Sequence, residues 1–539
     1  MANVQQKSQP DVLPVPAAGP SDMASVKRFS AMCPYLRAKA LLAVAPLLLV
    51  VSCGSSSDSS APPGGHLDGG SNLDGASSLD GGSDAGPVPR PDDTTAAANR
   101  LACKYARGAL PAATLGPGTP IDAQIPINHI VVVMMENHSF DSYLGHLNQY
   151  AKRTDVESAP DGTTNPDTTG GPQPWVHASH LCTLDTDHGW AGTHNEIDNG
   201  KMDGFAQANE GFNTSALPAS STDPALSSGG RALWWYDERD LPFYYQLAST
   251  FAIADHYYCS VPGPTWPNRR FLYAATSFGG TATPSPFPDL SAYPFPGKNP
   301  ATIADELETT HTTWMYYGDG GLSSLLITYA GGVATRWNRT VTGTFADFQQ
   351  AAQAGMLPQV SFVDPNLASE LNNADGLDEH PPGDIQSGQK FVSDVVQAVT
   401  ASPQWKDTAL FITHDEHGGF YDHVAPPAAC PPDGIAPILS TGDTTAGGFD
   451  RYGVRVVLIA VSPYAKKGYV GHHVYDHTSI TRFIEAKFKL PALTARDANA
   501  EPLTDLFDFS TPTFATPPTL TAPTVDPTEL TYCETTYGK

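Results

Sequence analysis

The stretch HIVVVMMEN, residues 129–137, is apolar without a break from Ile130 to Met135 and then turns abruptly to the oxygen donors Glu136 and Asn137. A strand with one face in water alternates apolar and polar side chains, whereas a strand covered by helices on both faces does not. The stretch therefore reads as a buried strand of a parallel sheet. TALFIT (Thr408–Thr413) and VRVVLIAV (Val454–Val461) read as further buried parallel strands. Helical patterns at Ser387–Thr400 and Ser479–Phe488 alternate with such runs. Residues 101–510 thus predict one α/β domain, a doubly wound, mostly parallel sheet with flanking helices and long loops around its site.

In open sheets of this kind ligands gather beyond the carboxyl ends of the strands. Glu136 and Asn137 directly follow the first strand, and Asp415 and Glu416 follow the second, so both pairs fall on one edge. Three carboxylates and an amide at one place repel one another unless a cation lies among them. One divalent metal ion answers that conflict. An all-oxygen donor set favours Mg, Ca or Mn, and Zn also accepts carboxylates. Taken singly, each pair has a plainer explanation in helix capping, with Asn137 or Ser139 as the cap before Phe140–Leu144.

The formal charge of -26 argues against nucleic acid, or an anionic membrane, as a partner held by a basic face. It also means that an anionic substrate needs local help, which a bound cation supplies. With 48 Gly and 49 Pro the chain is rich in loops, and stretches near 210–230, 280–300 and 429–449 are predicted as walls of a substrate cleft. Apart from Cys53, the cysteines from residue 54 onward number five, Cys103, Cys182, Cys259, Cys430 and Cys533, so one thiol stays unpaired if the rest pair; connectivity is open.

Residues 1–53 predict an N-terminal extension and export signal: Lys27, Arg28, Arg37 and Lys39 precede the apolar run LLAVAPLLLVV at 41–51, too short for a mature membrane span. Val50-Val51-Ser52-Cys53 resembles a bacterial lipobox, in which Cys53 is lipidated. Residues 54–100, rich in Gly, Ser, Asp and Pro up to about Thr95, predict a flexible tether behind that anchor. The expected address is the outer membrane, facing periplasm or cell surface. Residues 511–539, rich in Thr and Pro, predict an extended wrap pinned by Cys533.

NHIVVVMMENHSFDSYLG (128–145) resembles the opening motif of the bacterial phosphoesterase family of secreted phospholipases C and acid phosphatases, with an alkaline-phosphatase-like fold. DHGWAGTHNEIDNGKMDGF (187–205), DLPFYYQLASTFAIADHYYCSVPGPTWPNRR (240–270), DEHPPGD (378–384), HDEHGGFYDHVAPP (414–427) and VSPYAKKGYVGHHVYDHTSITRFIE (461–485) agree in order. The resemblance implies metal ligands at Glu136, Asn137, Asp415 and Glu416, and a nucleophile that also touches the metal at Thr265. It further implies catalytic histidines at His188, His380 and His423, with Lys201, His194 and Asp422 as candidates to hold the substrate. A threonine hydroxyl is inert at neutral pH until a metal or base favours its alkoxide. The implied activity is phospholipase C cleavage of a phospholipid through a phosphothreonine. Larger phospholipases of the family carry additional C-terminal β domains that do not follow here, which keeps acid phosphatase action on soluble phosphomonoesters as the alternative. A surface lipoprotein that only binds is a third reading, whose sign would be loss of a site residue; all five of the ligand and nucleophile positions are occupied.

Overall fold

The strand at His129–Met135 (β1) lies inside an eight-stranded sheet among the described residues of the computed structural model, which are 90–216, 228–283, 302–318, 342–367 and 376–538. The signal segment, Cys53 and the tether up to residue 89 lie outside these residues, as do parts of the loops expected at 210–230 and 280–300. The other strands are β2 (Ala252–Ala254), β3 (Trp314–Gly318), β4 (Thr342–Gly343), β5 (Val360–Asp364), β6 (Thr408–His414), β7 (Leu458–Val461) and β8 (Val470–Gly471). Their order is β8-β2-β7-β6-β1-β5-β3-β4. β1 pairs in parallel with β6 on one side and β5 on the other. Every residue of β6, and all of β1 after His129, is buried, as the unbroken apolar runs require.

Register places the site. Met135 pairs with His414 and Val133 with Val363, so Glu136 and Asn137 emerge level with Asp415 and Glu416, and Asp364 ends the neighbouring strand. One sequence expectation is corrected here. The run Val454–Val461 forms a strand only over Leu458–Val461, and that strand runs antiparallel to β6 and β2. Residues 415–457 contain no helix to carry the chain back to the far edge of the sheet, so the next strand must return from the edge where β6 ended.

Helices cover the sheet. Those in this account are α1 (Asp93–Leu101), α2 (Phe140–Leu144), α3 (Trp190–Ile197), α4 (Thr265–Ala274), α5 (Ile385–Ala401), α6 (His477–Phe488) and α7 (Pro527–Tyr537). Ser139, not Asn137, caps α2, accepting from the Ser142 N–H at 3.1 Å. That leaves the Asn137 side chain to the site, on a backbone with φ of 60°. α5 starts where Asp384 accepts from the Ser387 N–H at 2.9 Å.

Both expected flanks need correction. The tether read as far as residue 100 gives way to α1, capped by Asp92 and tied to the core by Arg100, which pairs with Glu501 at 2.8 Å. The tail is extended from Thr511 only to Asp526 and then forms α7. Disulfides join Cys103 to Cys430 and Cys182 to Cys533, so α7 is pinned as expected of Cys533, and Cys259 stays a buried free thiol. No described helix is long and apolar enough to cross a membrane.

Candidate active site

Four oxygen donors converge where β1 and β6 end. The Asn137 N–H donates to Asp415 Oδ1 at 3.2 Å, and the same oxygen accepts from the Glu416 N–H at 2.7 Å. The Asn137 side-chain oxygen faces Glu136 Oε2 at 3.3 Å and Glu416 Oε1 at 2.5 Å. Rotating the amide would turn its NH₂ toward both carboxylates and its oxygen toward His380 Nε2, 3.0 Å away. His380 Nδ1, however, lies 2.5 Å from the Pro381 carbonyl and must donate to it. With the amide unrotated, three oxygens face one another, an arrangement that repels without a cation between them.

Thr265 completes this set. It is the first residue of α4, and its hydroxyl donates to Glu136 Oε2 at 3.3 Å. Asn268, within the same first turn, holds the preceding loop by donating to the Gly263 carbonyl at 2.8 Å and accepting from the Val261 N–H at 3.0 Å. A buried helix N-terminus also favours an anion in front of it. Thr265 opens into a cleft of about 450 Å³ whose lining includes Asp185, Asp187, His188, Trp190, His380 and Asp443.

Two residues that the sequence reading did not single out organise the site. Arg269, fully buried one turn beyond Thr265 on α4, pairs with Glu136 Oε1, with Asp415 Oδ2 at 3.2 Å and with Asp364 Oδ1 at 3.3 Å. It also donates to the Met134 and Met135 carbonyls at 3.2 and 3.4 Å. Asp364 accepts in turn from the Tyr316 hydroxyl at 2.7 Å. Part of the charge conflict assigned above to a metal is thus met by the chain's own guanidinium. The oxygens turned away from Arg269, Glu136 Oε2 with Asn137, Glu416 and Thr265, still form an all-oxygen cradle fit for a hard divalent ion. An outer layer fixes it: His477 donates to the Asp415 carbonyl at 2.6 Å, and His417 bridges Glu196 at 2.8 Å and Glu416 at 3.3 Å.

His188 and His380 stand together in the cleft, ring centroids 5.5 Å apart, and with Asp185 their ligating atoms lie within 4.8 Å of one another. His188 Nδ1 donates to the Thr186 carbonyl at 2.8 Å. Burial works against a charge on this ring, but Glu416 and Asp185 outweigh it and push its pKa up to about 10.

The remaining candidates lie elsewhere, none of them among the residues that line the cleft. His423 Nδ1 contacts Asp141 at 2.6 Å and Nε2 contacts Glu157 at 3.0 Å. Asp422 is spent on Arg455 at 2.8 Å, so this group is a buried ion network beside α2. Lys201 is exposed and holds the surface carboxylate of Asp198 at 2.5 Å. His194 donates to the Trp190 carbonyl at 2.6 Å within α3 and sits against Gly447. None of these four lines the cleft: His423, expected to be catalytic, and Lys201, His194 and Asp422, expected to hold the substrate, are engaged by the partners just named, because histidines, lysines and acids at these spacings look alike until the helices turn them.

Comparison with known proteins shows the family. The family model described as the phosphoesterase family matches residues 127–491. The chain is 30% identical over 430 residues to phospholipase C B of Mycobacterium tuberculosis, covering 72% of this chain and 78% of that protein. It is 33% identical over 405 residues to non-specific phospholipase C1 of Arabidopsis thaliana, covering 70% of each. A solved protein of the alkaline phosphatase superfamily from Vibrio parahaemolyticus covers 67% of this chain and 78% of its own at a TM-score of 0.30 and 11% identity. With the strand-end donors, the threonine and the cleft all inside the matched residues, the chain belongs to the phosphoesterase family.

Proposed function

We infer that this chain is a metal-dependent phospholipase C that cleaves phospholipids with Thr265 as its nucleophile. The observation that carries the reading is the Thr265 hydroxyl at the head of α4, 3.3 Å from Glu136 and open to a cleft that also holds His188 and His380. The names of the relatives support the lipid class. Bound by Glu136, Asn137, Thr265, Asp415 and Glu416, a divalent ion would favour the threonine alkoxide and offset phosphoryl charge.

Glu136 Oε2 accepts the Thr265 hydrogen bond and is the nearest base for its proton. The Thr265 oxygen bonds to phosphorus as the bond to the glycerol oxygen breaks, and a cleft histidine, His188 or His380, protonates the leaving diacylglycerol. Water then attacks the phosphothreonine, releasing the phosphorylated headgroup and restoring the hydroxyl. Two in-line displacements give net retention at phosphorus. Asp185, Asp187 and Asp443 beside Trp190 favour a cationic headgroup such as phosphocholine. A lipid anchor at Cys53 would hold the enzyme at its substrate's surface.

The test compares wild type with Thr265→Ala on phosphatidylcholine and on p-nitrophenyl phosphate. Diacylglycerol release lost at least a thousandfold in the variant, with folding intact, is the expected result, of the order of other nucleophile deletions, about 10⁶ at the extreme. Equal activity of the two proteins overturns the nucleophile. Turnover of the monoester alone replaces the lipase with a phosphatase.

A further inference from the structure

β2 and β8 are parallel, with Ile253 paired to Val470 and Ala254 to Gly471. The next residue on each chain carries a metal-binding side chain, Asp255 on one and His472 on the other, and His256 follows Asp255. His472 Nδ1 lies 2.9 Å from Asp255 Oδ1, and His256 Nδ1 lies 3.1 Å from the same oxygen. All three ligating atoms fall within 4.8 Å of one another. We propose that Asp255, His256 and His472 form a second metal site, selective for a zinc-class ion and separate from the phosphoesterase centre.

Ligands at about 2.0–2.1 Å from zinc stand about 3.4 Å apart along each edge of a tetrahedron, so on the two edges that meet at Asp255 Oδ1, now 2.9 and 3.1 Å, the atoms need to part by only a few tenths of an ångström. Two imidazoles and one carboxylate are also the donors that suit zinc better than magnesium or calcium. The carboxylate is fixed in place: Asp255 is fully buried and its Oδ2 accepts from the Glu157 N–H at 2.9 Å, while the Asp255 carbonyl accepts from Arg455 at 2.7 Å. The rings are accessible, His472 being 52% and His256 26% exposed, which leaves room for water as the fourth ligand. On binding, each ring moves its proton from Nδ1 to Nε2 and the carboxylate stays ionised, so no further reactant is needed. Both strands run in the same direction as β1 and end at the same edge of the sheet, but β2 is three strand spacings from β1, about 14 Å. The site shares no ligand with Glu136, Asn137, Thr265, Asp415 or Glu416. Binding there would clip the end of the sheet at β8 and need not affect phosphoryl chemistry.

The test is zinc content and melting temperature of the full chain, stripped with a chelator and dialysed against zinc. Wild type is compared with His256→Ala/His472→Ala and with Glu136→Gln, which weakens the phosphoesterase centre alone. The double variant is expected to hold one zinc fewer per chain, to lose the part of the zinc-induced rise in melting temperature that Glu136→Gln retains, and to keep its phosphoesterase activity. His472→Ala alone, a change at a half-exposed ring, keeps the test decisive if the double variant does not fold. It should lower affinity at this site at least about tenfold, the scale of losing a metal's supporting contact. Equal zinc content and an equal thermal shift in wild type and His472→Ala would overturn the proposal and leave two histidines hydrogen-bonded to an aspartate.

Discussion

Replacing Arg269 by Met tests how the site is held together before any ion binds. The side chain keeps similar bulk and loses only the guanidinium. Glu136, Asp415 and Asp364 then remain in the protein interior, at 0%, 0% and 2% exposure, with one cation fewer. Compensating contacts remain for each: Thr265 for Glu136, two backbone N–H groups for Asp415, Tyr316 for Asp364. Breaking a buried ion pair from one side costs about 3–5 kcal/mol, and these remaining contacts hold the loss to that range despite the three carboxylates. The described residues of the unit that holds the site fall between 90 and 538. At about 2.1 cal/mol/K per residue, a unit of about 450 residues has an unfolding entropy near 1 kcal/mol/K, so Tm should fall by about 3–5 °C. The assay is thermal melting by circular dichroism in metal-free buffer, with Arg269→Lys as the companion. Lysine keeps the charge but not the fork that spans three carboxylates, so it should fall between wild type and Met. A Met variant melting within about 1 °C of wild type, or above it, refutes the assignment of Arg269 as the site's resident cation.

Chelation of divalent ions should abolish phosphoesterase activity while far-ultraviolet dichroism is retained, and added Mg, Ca, Mn or Zn should restore it; undiminished turnover in excess chelator refutes metal dependence. Burial opposes a charge on His423, but Asp141 holds its pKa up at about 9, above the ordinary 6.5. Its contribution to stability is therefore complete below pH 6.5 and is lost as pH rises through about 9, on the order of 3 kcal/mol. His423→Gln should flatten the pH dependence of Tm across that window, and an unchanged slope counts against the ion network. Cys533→Ala should free α7 and destabilise the chain by about 2–5 kcal/mol, since the Cys182–Cys533 bond spans 351 residues; unaltered protease resistance of the C-terminus refutes it.

The sequence by itself determined the edge of the sheet where chemistry would gather. An unbroken apolar run has to be a buried strand, and its first polar residues have to leave the core at its end. That reasoning reached Glu136, Asn137, Asp415 and Glu416 from local pattern alone, and the family motif added Thr265, His188 and His380. Tertiary structure decided what local pattern does not encode. An apolar run carries no direction, so the antiparallel course of Leu458–Val461 depended on the absence of a crossover helix between residues 415 and 457. In PNRR nothing distinguishes Arg269 from Arg270; only the orientation of α4 against β1, β5 and β6 makes Arg269 the cation of the site. His423 and His188 are equally good histidines in sequence, yet one faces Asp141 and the other the cleft. Disulfide partners 327 and 351 residues apart leave no local trace either. Period and polarity reveal which residues must leave the core, whereas the partners they then meet depend on contacts between segments far apart in the chain.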